Sequence, residues 1–323
     1  MRTALVVGAN GQDGSYLLEL LLSRGYKVVG TVLPGTDNRL IEPLAGEVTI
    51  VEGDLRDEDG IVRIFRDHLP EEVYNLGARA SSSDLFRDPV VTADVNAIGT
   101  TRLLEAIRNV APSARFFQAC SSEVFGNAAV SPQDENTPFH PRNPYGVAKA
   151  YAHWITVNYR EAHGLFACSG ILYNHESPRR GMEFVTRKIT SGVAAIREGL
   201  SRELHVENLE ARRDWGFAGD YVDAMWRMLQ APRAGDYIVA TGESHSVREF
   251  CEAAFSHVKL DYRDYVVADG GTGSRPPETV PLVGNPGKAR TELGWRPNVS
   301  FRELVRLMVD ADLRMLRSGG SAR

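Results

Sequence analysis

Residues 3–14 read TALVVGANGQDG, Thr3 through Gly8, Gly11 and Gly14, and the reading of the fold starts there. Thr3 to Val7 is a short apolar stretch of the kind that makes a buried strand. Ser15 to Ser23 then carries leucines at helical spacing and stops at Gly25. Between the two, Gly8, Gly11 and Gly14 permit a tight turn and let the backbone come close to a ligand. The helix start adds free N–H groups and a positive dipole, so the turn is a cradle for a pyrophosphate. A purely structural turn is the competing reading, and the rest of the chain has to decide between them.

Working outward, strands are expected at Lys27–Val32, Val48–Glu52, Val73–Leu76 and Arg115–Ala119. Helical patterns lie between and after them, at Asp57–His68, Thr92–Asn109 and Asn143–His163. Strand and helix in alternation argue for an α/β fold, a Rossmann-type doubly wound parallel sheet covered on both faces. A dinucleotide cradle is the ordinary occupant of its first turn. Beyond about residue 170 the regularity weakens, with loops rich in Pro, Gly and Arg at Ser177–Gly181 and Gly270–Pro277. A last helix is expected at Phe301–Leu316. The expected organisation is a dinucleotide-binding domain over residues 1–172, with a return of the chain near 214–242. A smaller carboxyl-terminal α/β substrate-binding cap takes 173–213 and 243–318, and 319–323 are read as a disordered tail.

The 323 residues are enough for a large core, and 43% hydrophobic with 24% charged residues is ordinary for a globular chain. A net charge of −5 gives no basic footprint for nucleic acid or an anionic membrane, so an anionic ligand needs a local cationic pocket. Cys120, Cys168 and Cys251 are widely spaced, show no metal-ligand pattern and read as buried thiols. The amino terminus lacks a signal-peptide layout, and no apolar run approaches a bilayer span. The expectation is a soluble, cytoplasmic protein without a metal.

Tyr145 and Lys149 stand four apart at a helix start, which puts both on one face. A nearby ammonium stabilises a phenolate, so this tyrosine can act as a base. Alone, the pair is equally readable as a surface contact. Ser121, Ser122 and Glu123 fall just beyond the fifth expected strand, where ligands gather in a parallel sheet. A hydroxyl there can bond the oxygen being oxidised, and a carboxylate can carry a proton. Asp54, in Gly53-Asp54-Leu55 after the third strand, is either an adenine contact or a solvated carboxylate. After the second strand, Thr31-Val32-Leu33-Pro34-Gly35 offers neither the acid that suits NAD nor the arginine that suits NADP. Arg39 is within reach, or simply at the surface.

With Ser121, Tyr145, Lys149 and the glycine loop together, the chain resembles the short-chain dehydrogenase/reductase superfamily in its extended, sugar-nucleotide form. Longer blocks resemble the GDP-mannose 4,6-dehydratase family: GQDGSY (11–16), QDENTP (133–138), WITVNYRE (154–161), NHESPRR (174–180), FVTRKI (184–189), RDWG (213–216) and ATGESHSVREF (240–250). The resemblance implies an internal redox dehydration. Tyr145, with Ser121 and Lys149, would take the C4 hydroxyl proton while hydride leaves for a tightly bound nicotinamide. Glu123 would take the C5 proton and deliver one to the departing C6 hydroxyl. The hydride then returns to C6 and leaves a 4-keto-6-deoxy sugar.

The same resemblance assigns cofactor contacts to Gly8, Asn10, Gly11, Gln12, Asp13, Gly14, Asp54 and Leu55, with Tyr145 and Lys149. It assigns nucleotide contacts to Asn174, Val185, Lys188, Arg213, Arg275 and Glu278. The cofactor it implies is NADP; Pro34-Gly35 in place of the family's arginine pair keeps NAD open. The implied substrate is a GDP-sugar, GDP-mannose first. Gly77-Ala78-Arg79-Ala80 in place of Ala-Ala-Gln-Ser leaves a GDP-manno-heptose as an alternative. A sugar-nucleotide 4-epimerase or 4-keto reductase on the same scaffold is the rival activity, and a catalytically silent sensor is the rival class. A homodimer, or a tetramer, is implied through the helices at 92–109 and 143–163.

Overall fold

The computed structural model describes residues 1–80, 86, 88–268 and 280–319. The chain begins with β1 (Thr3–Val7), α1 (Gln12–Ser23), β2 (Lys27–Val32), β3 (Val48–Glu52), α2 (Glu58–His68) and β4 (Glu72–Asn75). A continuous helical run follows: α3 (Pro89–Ala93), a π turn (Asp94–Ile98) and α4 (Gly99–Val110). Next come β5 (Arg115–Ser121), α5 (Pro144–His163), β6 (Ala167–Leu172), β7 (Asn174–Glu176) and α6 (Val185–Arg197). They are followed by β8 (Leu204–Val206), β9 (Arg212–Arg213), β10 (Trp215–Phe217), α7 (Ala218–Gln230) and β11 (Asp236–Val239). The last described elements are β12 (His245–Ser246), α8 (Val247–His257), β13 (Val266–Ala268), α9 (Gly287–Glu292) and α10 (Phe301–Arg317).

Seven strands make one sheet in the order β11-β6-β5-β4-β1-β2-β3, with every neighbouring pair parallel. The strand order reverses between β1 and β4, and that crevice is where an open α/β sheet takes its ligand. The inner strands are buried on both sides because both faces are covered, whereas β3 at the sheet edge is largely exposed. Leu17, Leu18 and Leu21 of α1 pack with Met225, Met228 and Leu229 of α7 on one face. Phe65 of α2 and Leu103, Leu104 and Ile107 of α4 cover the other. The expected doubly wound α/β fold stands.

Three details differ from the sequence reading. Helix α1 begins at Gln12 and not at Ser15, because the glycine turn feeds straight into it. Strand β5 continues to Ser121, which makes that hydroxyl the end of a strand and not part of the following loop. Strands β6 and β11 carried no periodic signal, since short apolar runs buried on both sides look the same as buried helix.

A separate apolar cluster joins α6, α8 and α10 through Ile189, Val193, Phe250, Phe255, Leu304 and Met308. Within it the Arg187 guanidinium of α6 donates to the Asp312 carboxylate of α10, both buried. The three cysteines are buried, and burial pushes Cys120 and Cys251 up to about 12 and Cys168 up to about 11. Among the described residues no helix is long and apolar enough to cross a membrane.

Candidate active site

The turn after β1 is shaped by contacts that only glycine tolerates. Gly8 has a φ of +82°, and its N–H and that of Ala9 both donate to the Thr31 carbonyl, at 3.2 and 3.0 Å. A Cβ on Gly14 would lie 2.3 Å from the Gly8 carbonyl oxygen. No side chain caps α1, so its first-turn N–H groups are not taken by a capping residue. This cradle fits a dinucleotide pyrophosphate. Beside it, Leu55 and Asp54 line an apolar pocket with Leu5, Val7, Thr31 and Phe65. Asp54 itself is engaged by Arg56 at 2.5 Å. Asn10 turns away from the cradle and holds the loop after β2, donating to Thr36 Oγ1, the Asp37 carbonyl and Asn38 Oδ1.

Gln12 and Asp13 face β7. Asp13 Oδ2 lies 2.7 Å from His175 Nε2, and His175 Nδ1 lies 2.7 Å from the Tyr173 carbonyl. Both neighbours are acceptors, so both ring nitrogens donate and the ring is an imidazolium. Gln12 adds bonds to the His175 carbonyl and to Ser177 Oγ. Burial opposes charge on both members of the pair. The attraction between them overrides it, holding His175 above 6.5 and Asp13 below 3.8. The raised histidine contributes stability that is complete below pH 6.5 and lost as pH rises through its folded value. The depressed aspartate contributes stability present above pH 3.8 and lost as pH falls through its own folded value. Both terms coexist between pH 3.8 and 6.5. We therefore expect Asp13→Asn to cost roughly 2 kcal/mol in that window. The melting-temperature gap between wild type and variant, scanned against pH, should narrow above neutrality. A gap that does not change with pH would remove the ion pair from the account.

The residues proposed for chemistry come from three adjoining elements. Ser121 ends β5, and Glu123 sits in the 3₁₀ turn Ser122–Val124 that follows. Helix α5 is started by Asn143, whose Oδ1 accepts the Gly146 N–H at 2.7 Å, and by Pro144 at its first position. It ends at Gly164 in the left-handed region. Tyr145 and Lys149 face inward one turn apart, and the Ser121 hydroxyl is close enough to Tyr145 to favour its phenolate. Lys149 Nζ lies 5.7 Å from the centre of the Tyr145 ring and donates to the Ala119 carbonyl at 2.8 Å. Burial pushes the phenol well above its ordinary range and lowers Lys149 to about 8. The Asn143 amide donates to Glu123 Oε2 at 2.7 Å. The four residues anticipated from sequence are thus gathered at one sheet edge.

The nucleotide end is less concentrated. Asn174 of β7 pairs in register with Trp215 of β10, two positions after Arg213. Val185 and Lys188 lie one turn apart on α6, with Lys188 exposed. Arg275 and Glu278 lie outside the described residues, as do the 270–277 loop and the tail from 320. Of the other arginines, Arg187 is a strut to Asp312, and Arg179 holds α1 through Glu19 at 2.6 Å. Arg212 bonds Glu249, and Arg39 pairs with Asp37. Arg180 lies 3.5 Å over the Phe184 ring, close enough to influence Asp13, His175 and Tyr145. Sequence reasoning assigned no role to His175 or Asn143. The NHESPRR block and the Asn-Pro pair at a helix start were the available signals.

A family model described as GDP-mannose 4,6 dehydratase matches residues 5–308. The chain belongs to that family. GDP-mannose 4,6 dehydratase 1 of Arabidopsis thaliana is 48% identical over 330 residues, covering 98% of this chain and 91% of the relative. The human GDP-mannose 4,6 dehydratase is 44% identical, covering 99% and 93%. A solved UDP-glucose 4-epimerase from Thermus thermophilus, in complex with NAD, has a TM-score of 0.82 at 29% identity, covering 96% and 98%. The resemblance drawn from the sequence blocks stands, and it extends over nearly the whole chain of these dehydratases.

Proposed function

We propose that this GDP-mannose 4,6 dehydratase family member is a hydro-lyase that converts GDP-mannose to its 4-keto-6-deoxy form. The observation that carries this is the carboxylate of Glu123, set beside the Ser121–Tyr145–Lys149 group and held there by Asn143. A reductase or epimerase needs the hydroxyl, phenol and ammonium. Only elimination needs a second acid–base group at the sugar. Tyr145, close to Ser121 and Lys149, accepts the C4 hydroxyl proton. Glu123 takes the C5 proton that the C4 ketone makes acidic and passes a proton to the C6 hydroxyl, which leaves as water. Tyr145 returns its proton to C5. The glycine turn at Gly8, Gly11 and Gly14 would hold the nicotinamide cofactor, which would supply the hydride acceptor for C4 and the hydride donor for C6.

NADP is the dinucleotide the family resemblance implies. NAD is favoured by the loop after β2, where Arg39 is the one cation between residues 33 and 41 and is paired with Asp37 at 2.6 Å. Unfolding the purified protein and identifying the released dinucleotide separates the two readings. Purified protein mixed with GDP-mannose should yield a product one water lighter by mass spectrometry. Intact GDP-mannose beside dehydration of a GDP-manno-heptose would move the substrate, and no water loss from either would overturn the reading.

The assembly is proposed as a homodimer. Val147, Tyr151 and Trp154 form an exposed apolar face along α5, adjoining exposed Val90 and Ile98 on the 89–110 helical run. Tyr151→Glu with Trp154→Glu is expected to convert a dimer to monomer by light scattering. An unchanged mass would rule out this face.

A further inference from the structure

Asn143 does two jobs with one amide. Its Oδ1 accepts the Gly146 N–H at 2.7 Å, which caps α5, and its Nδ2 donates to Glu123 Oε2 at 2.7 Å. The cap settles which way the amide faces: the oxygen must meet the backbone N–H, so the NH₂ group must meet the carboxylate. Asn143 is buried, so the two bonds are made away from bulk water. The contact is reinforced by the backbone. A Cβ on Gly146 would lie 2.6 Å from the Glu123 carbonyl oxygen, so the first turn of α5 rests directly on the turn that carries Glu123. The Glu123 N–H also faces Ser121 Oγ at 3.3 Å.

We propose that Asn143 is a positioning residue. It fixes the Glu123 carboxylate relative to Tyr145 and Lys149, so that the group serving C5 and C6 and the group serving C4 are held at one spacing. This rests on the reading of Glu123 as the proton carrier. Serine, aspartate and asparagine cap helices about equally well. A cap alone therefore does not require asparagine, whereas a donor that reaches Oε2 does. Serine is too short to reach it from the cap position. Aspartate would cap α5 and place a like charge against Glu123.

The two variants separate the roles. Asn143→Ser should keep the melting temperature close to wild type and lower turnover of GDP-mannose by roughly 10- to 100-fold, the effect of a displacement on the order of 1 Å. KM should change little. Oxidation at C4 does not use Glu123, so reduced nicotinamide should build up on the enzyme during turnover and be visible by its absorbance. Asn143→Asp should lower turnover further and move the acid-side fall of the kcat/KM profile to higher pH. A residue that only capped α5 would change the melting temperature and leave both the absorbance and the pH profile as they were. Wild-type turnover without build-up in both variants would overturn the proposal. Glu123→Gln measured alongside tells the two failures apart. If that variant also turns over normally, the reading of Glu123 is wrong; if it is inactive while both Asn143 variants are normal, only the role of Asn143 is.

Discussion

Glu123→Gln is expected to oxidise C4 of GDP-mannose and go no further. Glutamine keeps the shape of the side chain and can still bond to Asn143, yet it cannot accept a proton from C5. Removing a general acid–base group costs about 10²- to 10⁴-fold, and in the proposed mechanism one group serves both C5 and C6. Because Ser121, Tyr145 and Lys149 are untouched, a single round of nicotinamide reduction should follow mixing, with no water lost. Stopped-flow absorbance with mass spectrometry of the quenched sugar reads both events. Water loss at the wild-type rate would remove Glu123 from the chemistry and leave the elimination without a carrier.

Tyr145→Phe is expected to stop the reaction one step earlier. The ring still fills its place on α5, but the hydroxyl beside Ser121 is gone, and with it the proposed acceptor for the C4 proton. Turnover should fall by about 10³- to 10⁴-fold, and no reduced nicotinamide should appear on mixing with substrate. Burial drives the phenol well above its ordinary value, so its ionisation needs a positive charge nearby, and the Lys149 ammonium stands 5.7 Å from the ring centre. That ammonium is itself lowered to about 8 by burial, and its charge is lost as pH rises through that value. The rate of C4 oxidation in the wild type should accordingly decline on the alkaline side. If Tyr145→Phe reduces the nicotinamide at a normal rate, another residue takes the C4 proton. The contrast between the variants is informative because the two side chains sit on adjoining elements at one sheet edge.

Much of this could be read before any coordinates. The first half of the sheet was legible because β1, β2 and β3 are apolar runs bounded by glycines or charged turns, and α2 and α4 keep one apolar face. Ser121, Tyr145 and Lys149 were legible because strand ends and a four-residue helical spacing are geometric facts of sequence. Residues held by long-range contacts were not. His175 meets Asp13 across 162 positions, and Asn143 meets Glu123 across 20, and no local period encodes either contact. Asn143-Pro144 did announce a helix start, but half of its amide's role lies on another element. Strand β11 was hidden for a related reason: Asp236–Val239 is four residues long, and its place beside β6 is set by tertiary packing. Arg179 and Arg187 are likewise held by distant carboxylates, Glu19 and Asp312, and composition does not encode either contact.

The Arg187–Asp312 pair has a consequence for the order in which the protein can be made. Helix α6 emerges with a guanidinium that will be buried, and its counter-charge is 125 residues away on α10. Until that helix clears the ribosome, closing the apolar cluster around α6 would strand a positive charge, at a cost of about 3–5 kcal/mol. Completion of the α6–α8–α10 cluster therefore waits on α10, the last helix among the described residues.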